Sequence, residues 1–504
     1  MRAYHKYFLL AAMAASTTWL GGCFLGSDDN GPSAENVGKS NTSTEKGNDG
    51  LVNSVTRMSD FSQFEYGKED LTQLRTARAD YEEALRLNPG NSQAQLGMAL
   101  TGILLAAQSD HLSKVINQTL EAKSPFDTRV AEGAPAARAG VVRKVAEAST
   151  LPEFHVIQQA IADTLLPALD DAINRLNAVY HDPAFSMTLT IDGESRELDH
   201  AEAGILLAGV HAIKGLLTLW LSRDIDIDYN GSYDYLESFA DLDTIQDFSQ
   251  LTAKQRADFN KAAEILSPSS PFLAVRSGWG DRLAGVDDEI KNALNILKEA
   301  IASIDHEGDP QANDLIHICA GLEEGGCIDR SNYNDAKDVI DTAVKYMSQP
   351  YVLELADIDT TIKVNFAAYF NVQDYKKLLP YYGFYNANEW SDAQPVLYFT
   401  DAQGHITGNI KDVQNIFDDA EATNATVAQV VARLRAIIHF QDPTFQGFLP
   451  GATEADIWNL IRKQAEYEDQ QDAIGSDDGI VHESTETGAE SFLKPDFALN
   501  LIGN

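Results

Sequence analysis

Asp226-Ile-Asp228-Tyr-Asn230-Gly231-Ser232-Tyr-Asp234-Tyr-Leu-Glu237 puts oxygen-bearing residues at positions 1, 3, 5, 7, 9 and 12 of a twelve-residue stretch, with glycine at position 6. Calcium chemistry asks for that order. Ca²⁺ takes six to eight hard oxygen ligands at about 2.3–2.6 Å, and alternate residues of a tight loop turn their donors inward. Asp226, Asp228, Asn230 and Asp234 would supply side-chain oxygens, Ser232 its backbone carbonyl, and Glu237 a bidentate carboxylate. Gly231 permits the sharp bend. The same residues also suit a solvated connection between two helices, with Asp234 capping the second.

The stretch resembles an EF-hand loop, with two departures. Position 8 is Tyr233 instead of an aliphatic residue, and the sequence holds no second loop to pair with it. A lone site of this kind in an envelope protein is expected to be structural and not a switch, since extracellular modules bind Ca²⁺ at about 10⁻⁴–10⁻³ M.

Other chemistry is thinner. Of three cysteines, Cys319 and Cys327 bracket Ala-Gly-Leu-Glu-Glu-Gly-Gly, a short segment whose glycines ease closure of a disulfide loop. Zinc binding through His317 and this pair lacks a fourth ligand. The chain has no His-Glu-x-x-His, G-x-S-x-G, Walker or G-x-G-x-x-G motif. With 76 acidic residues, spacing alone cannot select a glycosidase carboxylate pair. His211 lies on an apolar helical face and reads as a satisfied core residue. Tyr381, Tyr382, Phe384, Tyr385 and Trp390 suit a sugar- or peptide-binding face, but such clusters are more often core.

The elements that would position these residues are mostly helical. The segment 77–90, Ala-Arg-Ala-Asp-Tyr-Glu-Glu-Ala-Leu-Arg-Leu-Asn-Pro-Gly, looks like the second helix of a tetratricopeptide repeat. A small-residue helix follows from Ser92 to Ala107, with no equally good repeat beyond it. Further helices are expected over 153–179, 200–221 and 283–304. Met187, Leu189 and Ile191 alternate before Asp192-Gly193, a hairpin signal, and Asp199 is placed to cap the very apolar helix that begins at His200. Beyond Pro350, strands are expected at 351–355, 361–366, 396–400 and 405–410, with helices at 411–420, 425–440 and 453–469. The expected fold is mainly α: a helical repeat-like domain with short β-hairpins, followed by a small α+β module. The boundaries are 1–22 for a signal peptide, 23–56 for a flexible tether, 57–349 for the helical domain, 350–470 for the α+β module and 471–504 for a polar tail.

The first residues carry Arg2 and Lys6, no acid before Cys23, and an apolar run from Tyr7 to Ala15 too short to span a bilayer. Leu20-Gly21-Gly22-Cys23 resembles the lipobox of bacterial lipoproteins. That resemblance implies cleavage before Cys23 and a diacylglycerol thioether on it; Phe24 in place of an aspartate implies the outer membrane of a Gram-negative cell. An ordinary signal peptide with a chance cysteine is the alternative. With the repeat-like unit, the chain resembles bacterial outer-membrane lipoproteins with tetratricopeptide-like segments, a likeness that carries no established activity.

The formal charge is −38, two units more negative without residues 1–22, so nucleic acid and anionic headgroups are not expected ligands. The expected role is an envelope lipoprotein that binds or scaffolds a partner protein, with a structural Ca²⁺ site. The alternative is a surface glycan-binding protein or hydrolase with a cleft between the two modules.

Overall fold

The computed structural model describes residues 32–58, 71–110, 112, 114, 154–191, 194–225, 252–304, 318–319, 328–390 and 396–475. In chain order the first elements are α1 (Ala34–Met58), α2 (Thr72–Leu87), α3 (Ser92–Ala107), α4 (Phe154–Tyr180), β1 (Ser186–Ile191), β2 (Glu194–Asp199) and α5 (His200–Leu221). Next come α6 (Ala253–Leu266), α7 (Val286–Ile304), β3 (Ile318–Cys319), β4 (Ile328–Asp329) and α8 (Arg330–Ser348). The last are β5 (Tyr351–Leu355), β6 (Thr360–Val364), β7 (Tyr382–Phe384), β8 (Leu397–Thr400), β9 (Ile406–Asn409), α9 (Ile410–Thr423), α10 (Val427–Arg435) and α11 (Glu454–Gly475). The fold is mainly helical with short β-hairpins, as the periodicity implies.

The described residues form two compact units. One comprises 32–222 and 281–348; the other comprises 223–225, 252–280 and 349–475. The stretch 252–280, which sequence periodicity groups with the helical domain, thus belongs with the C-terminal residues. Backbone hydrogen bonds hold it there, from Leu273 N to Asp224 O (2.6 Å) and from Val275 N to Gln373 O (2.9 Å).

In the first unit, α1, α2, α3, α4, α5, α7 and α8 pack in series, each against the next. The repeat-like face of α2 is its buried face: Leu74, Ala77, Tyr81 and Ala84 are all closed to solvent. Asn91 caps α3, accepting from Ala94 N at 3.0 Å. The hairpin forms as its alternation requires, with Met187 opposite Leu198 and both fully buried. Asp199 and Glu202 then make a capping box that fixes the start of α5.

Helix α1 departs from expectation. Residues 34–58 lie largely in the stretch expected to be a flexible tether, yet they form a 25-residue helix packed on α2. The helix lacks an apolar stripe; Ser40, Thr44, Asn48, Leu51 and Ser54 are buried instead. Hydrogen bonds satisfy most of that polar face, so periodicity of hydrophobic residues could not announce it.

In the second unit, β5 and β6 form an antiparallel hairpin, and β7, β8 and β9 form a meander. The strand β7 was not expected; it is three residues long, and Gly383 at its centre lies under Tyr398, whose ring would be 2.4 Å from a Cβ there. Phe399, Val413, Ile416, Val430, Leu434 and Trp458 make one core, and Val364, Leu449 and Ile457 another. The helix expected over 425–440 stops at Arg435, whereas α11 continues to Gly475, past the expected module end.

Candidate functional site

The central helix α5 is apolar on most of its surface, and its neighbours cover only part of it. Ala201, Gly204, Leu207, Ala208, Val210, Gly215, Thr218 and Leu221 are buried on the faces that meet α4 and α7. Gly204 and Gly215 allow that approach: a Cβ at Gly204 would lie 2.6 Å from the Tyr180 ring, and one at Gly215 would lie 3.0 Å from Ile290. Opposite them runs an uncovered stripe. Ile213 is 56% exposed, Leu216 55% and Trp220 38%, while a Cβ at Gly209 would meet nothing within 4 Å. The positions 209, 213, 216 and 220 alternate four- and three-residue steps, the spacing of a coiled-coil seam.

Beneath this stripe lies a tight cluster of charge. His211 Nδ1 is 2.5 Å from Glu289 Oε2, and Lys214 Nζ is 2.6 Å from Glu289 Oε1 and 2.7 Å from Asp170. Glu289 therefore ties α7 to α5, and Lys214 ties α5 to α4. Burial pushes the Glu289 carboxyl up, but hydrogen bonds from His211 and Lys214 outweigh it, and the net shift is below the ordinary carboxylate value. Burial alone would lower Lys214; its two carboxylate partners reverse this and raise it. Towards the start of α5, Tyr180 OH donates to Glu299 at 3.2 Å, and burial together with that carboxylate pushes the phenol up to about 12.

By length and composition α5 meets the requirement for a membrane span, with 39% of its most apolar window buried. The capping box at its start, the ion pairs at its middle and the covered faces are those of a core helix with one bare stripe. His211 is accordingly a paired, mostly buried residue, as its place on the apolar face implies. Among the described residues, no group of three or more His, Cys, Asp and Glu side chains could hold a metal ion.

No family model matches this chain. No curated protein and no solved structure matches it either.

Cys23 and the whole calcium-loop candidate, Asp226, Asp228, Asn230, Ser232, Asp234 and Glu237, lie outside the described residues. Cys319 ends β3, where it stands opposite Asp329 of the parallel strand β4; its expected partner Cys327 lies outside the described residues. In the second unit, Trp390 is buried against Phe259, with its indole N–H donating to Tyr385 O at 3.0 Å. Tyr382 packs on a core cluster and donates its hydroxyl to Leu266 O at 2.6 Å. These two aromatics are spent on packing.

The second unit also holds polar residues that the sequence did not single out. Arg223 is 3% exposed, with its guanidinium 4.4 Å from the centre of the Tyr375 ring. Burial pulls its pKa below the ordinary arginine value, partly offset by Tyr375 and Asp374. Lys376, equally buried, donates to Phe272 O and to Asp374 Oδ1. The loop from Asp442 is tied by its own carboxylate, which accepts from Thr444 N, Thr444 Oγ1 and Gln446 N at 2.7–2.9 Å. That clamp holds Phe445 and Gln446 at positive φ (47° and 55°). Gln446 then bonds to the backbone of Gln373 and Asp374. Spacing gives no signal for this cluster, because its members come from four separate segments.

Proposed function

We propose that this chain is a lipid-anchored envelope protein of the bacterial outer membrane whose helical unit binds a partner protein along the bare stripe of α5. The anchor reading rests on Arg2, Lys6, the apolar run and Leu20-Gly21-Gly22-Cys23. The binding reading rests on one observation: Ile213, Leu216 and Trp220 are exposed at coiled-coil spacing on a helix otherwise seated in the core. The partner that fits is a helix with apolar residues at the same spacing. Its flanks should be basic, because the whole chain is strongly acidic. We also propose that Asp226–Glu237 holds a structural Ca²⁺ ion and that Cys319 and Cys327 form a disulfide staple.

Crosslinking in intact cells tests the binding reading. The wild-type chain should trap a protein that the Ile213→Asp/Leu216→Asp double variant loses, with helical content unchanged. A partner retained by the double variant, or purified protein that instead carries polysaccharide, overturns it. Cys23→Ala should move the chain from the membrane fraction to the soluble one.

A further inference from the structure

Helix α1 sits on α2 and α3 through a seam of small and polar groups: Ser40, Thr44, Gly47, Asn48, Leu51 and Ser54. Gly47 lies so close to Tyr81 that a Cβ would stand 2.7 Å from the ring, and a Cβ on Gly50 would stand 3.0 Å from the Ala77 Cβ. The seam is held by a hydrogen-bond circuit. Ser40 Oγ donates to Ala84 O (2.8 Å) and Thr44 Oγ1 donates to Ser40 O (3.0 Å), so each hydroxyl proton is committed. Both hydroxyl oxygens then accept from Asn91 Nδ2, at 2.9 and 3.1 Å. Asn91 Oδ1 meanwhile caps α3. One amide therefore serves two tasks with its two ends. Further along, Tyr81 OH donates to Asn48 Oδ1 at 2.9 Å, and Asn48 Nδ2 is buried without a partner among the described residues.

The seat is extensive but built of small and polar groups on the α1 side. Glycine, asparagine, serine and threonine fill most of α1, and all are poor helix formers in isolation. The helix receives little apolar burial in return: Leu51 is the large side chain it buries completely among its described residues. Its main contact is with α2, which meets α1 more extensively than it meets α3, while α3 packs onward against α4.

We infer that α1 is a releasable strap, helical only while seated, which leaves α2 and α3 as one unit without unfolding them, with Asn91 as its latch. Its consequence for reach rests on the anchoring reading above: α1 lies between Cys23 and the rest of the unit, and 25 released residues add up to about 85 Å of extended chain.

Hydrogen exchange on the purified full chain tests the strap. Asn91→Asp keeps the capping oxygen and removes the latch donor, so Ser40 and Thr44 can reach the carboxylate only by withdrawing their protons from Ala84 O and Ser40 O. The α1 amides should then exchange about 10- to 100-fold faster, the factor expected for a buried polar group left unpaired. The amides of α2 and α3 should keep wild-type protection. Leu51→Ala, which leaves the circuit intact, should give the same regional pattern and covers the case in which the aspartate variant does not fold. Acceleration of α1, α2 and α3 together, or unchanged α1 exchange in both variants, overturns the inference. Exchange is read with or without acylation, so failure of the Cys23→Ala fractionation test leaves this result untouched.

Discussion

Gly97 of α3 and Gly209 of α5 are both helical glycines, and replacing each by alanine should move stability in opposite directions. Alanine is favoured over glycine in a helix by about 0.8–1.0 kcal/mol. At Gly209 nothing lies within 4 Å of the new methyl, so that gain should appear in full. At Gly97 the methyl would stand 2.2–2.4 Å from Cζ, Cε1 and Cε2 of Tyr81. Carbon atoms settle at about 3.5–4.0 Å, so the ring must retreat by more than about 1 Å. While α1 is seated it has nowhere to go. Gly47 closes the other face at a distance a Cβ could not tolerate, the side chain is fully buried, and its hydroxyl is bonded to Asn48. Overpacking costs typically 1–3 kcal/mol, and a ring locked on both faces places this case at the upper end. Subtracting the helix gain leaves a net loss of about 2 kcal/mol for Gly97→Ala. At roughly 2–4 °C per kcal/mol, the melting temperature should fall by about 4–8 °C, while Gly209→Ala should raise it by about 2–4 °C. Thermal melts of the full chain followed by circular dichroism at the helical band read both. A Gly97→Ala protein that melts at or above the wild type would refute the reasoning, since the packing around Tyr81 would then have slack that its contacts deny.

Glu289→Gln should cost about 1.5–3 kcal/mol at neutral pH, because the carboxylate bonds two positively charged or protonatable partners. Its pKa is depressed in the folded state, so the stability it supplies is full above the unfolded carboxylate value and is lost as pH falls through the lower folded value. The wild type should therefore lose more stability than the variant across that acid window; equal slopes in urea titrations at stepped pH would sink the pairing. If Asp226–Glu237 binds Ca²⁺, a hundredfold excess over the dissociation constant should stabilise the wild type by about 2.7 kcal/mol. The Asp226→Ala/Glu237→Ala chain should not respond, and a wild-type melting temperature unmoved by 10 mM Ca²⁺ (roughly a hundred times a 10⁻⁴ M constant) removes the site.

Much of the first unit was legible because its signals are local. Ala77, Tyr81 and Ala84 fall on one face at helical spacing, Asp199 precedes Glu202 by a capping-box interval, and Met187 alternates with its neighbours. Helix α1 was not legible, because its helicity is conferred by its seat: Ser40 and Thr44 are ordinary loop residues until Asn91, some fifty residues later, supplies the donor. His211 shows the same limit in milder form. Its helical face argued for a core role, but its partner Glu289 is 78 residues away and no spacing rule connects them. The bare stripe on α5 was hidden by the helix's overall hydrophobicity, since only packing reveals which of its apolar faces α4 and α7 leave uncovered.

The division of the chain also sets an order of assembly. Residues 252–280 belong to the second unit but precede α7 and α8 of the first, so the chain must finish the first unit before the second has all its parts. Arg256 donates to the carbonyl of Ala387, a partner made 131 residues later. At about 5–20 residues per second, ribosomal synthesis leaves Arg256 waiting roughly 7–26 s for it. During that interval Phe259 lacks Trp390, its ring partner in the finished unit. A growing chain of this design carries Phe259 and the apolar side of α6 without their cover for the time about one-quarter of its length takes to appear.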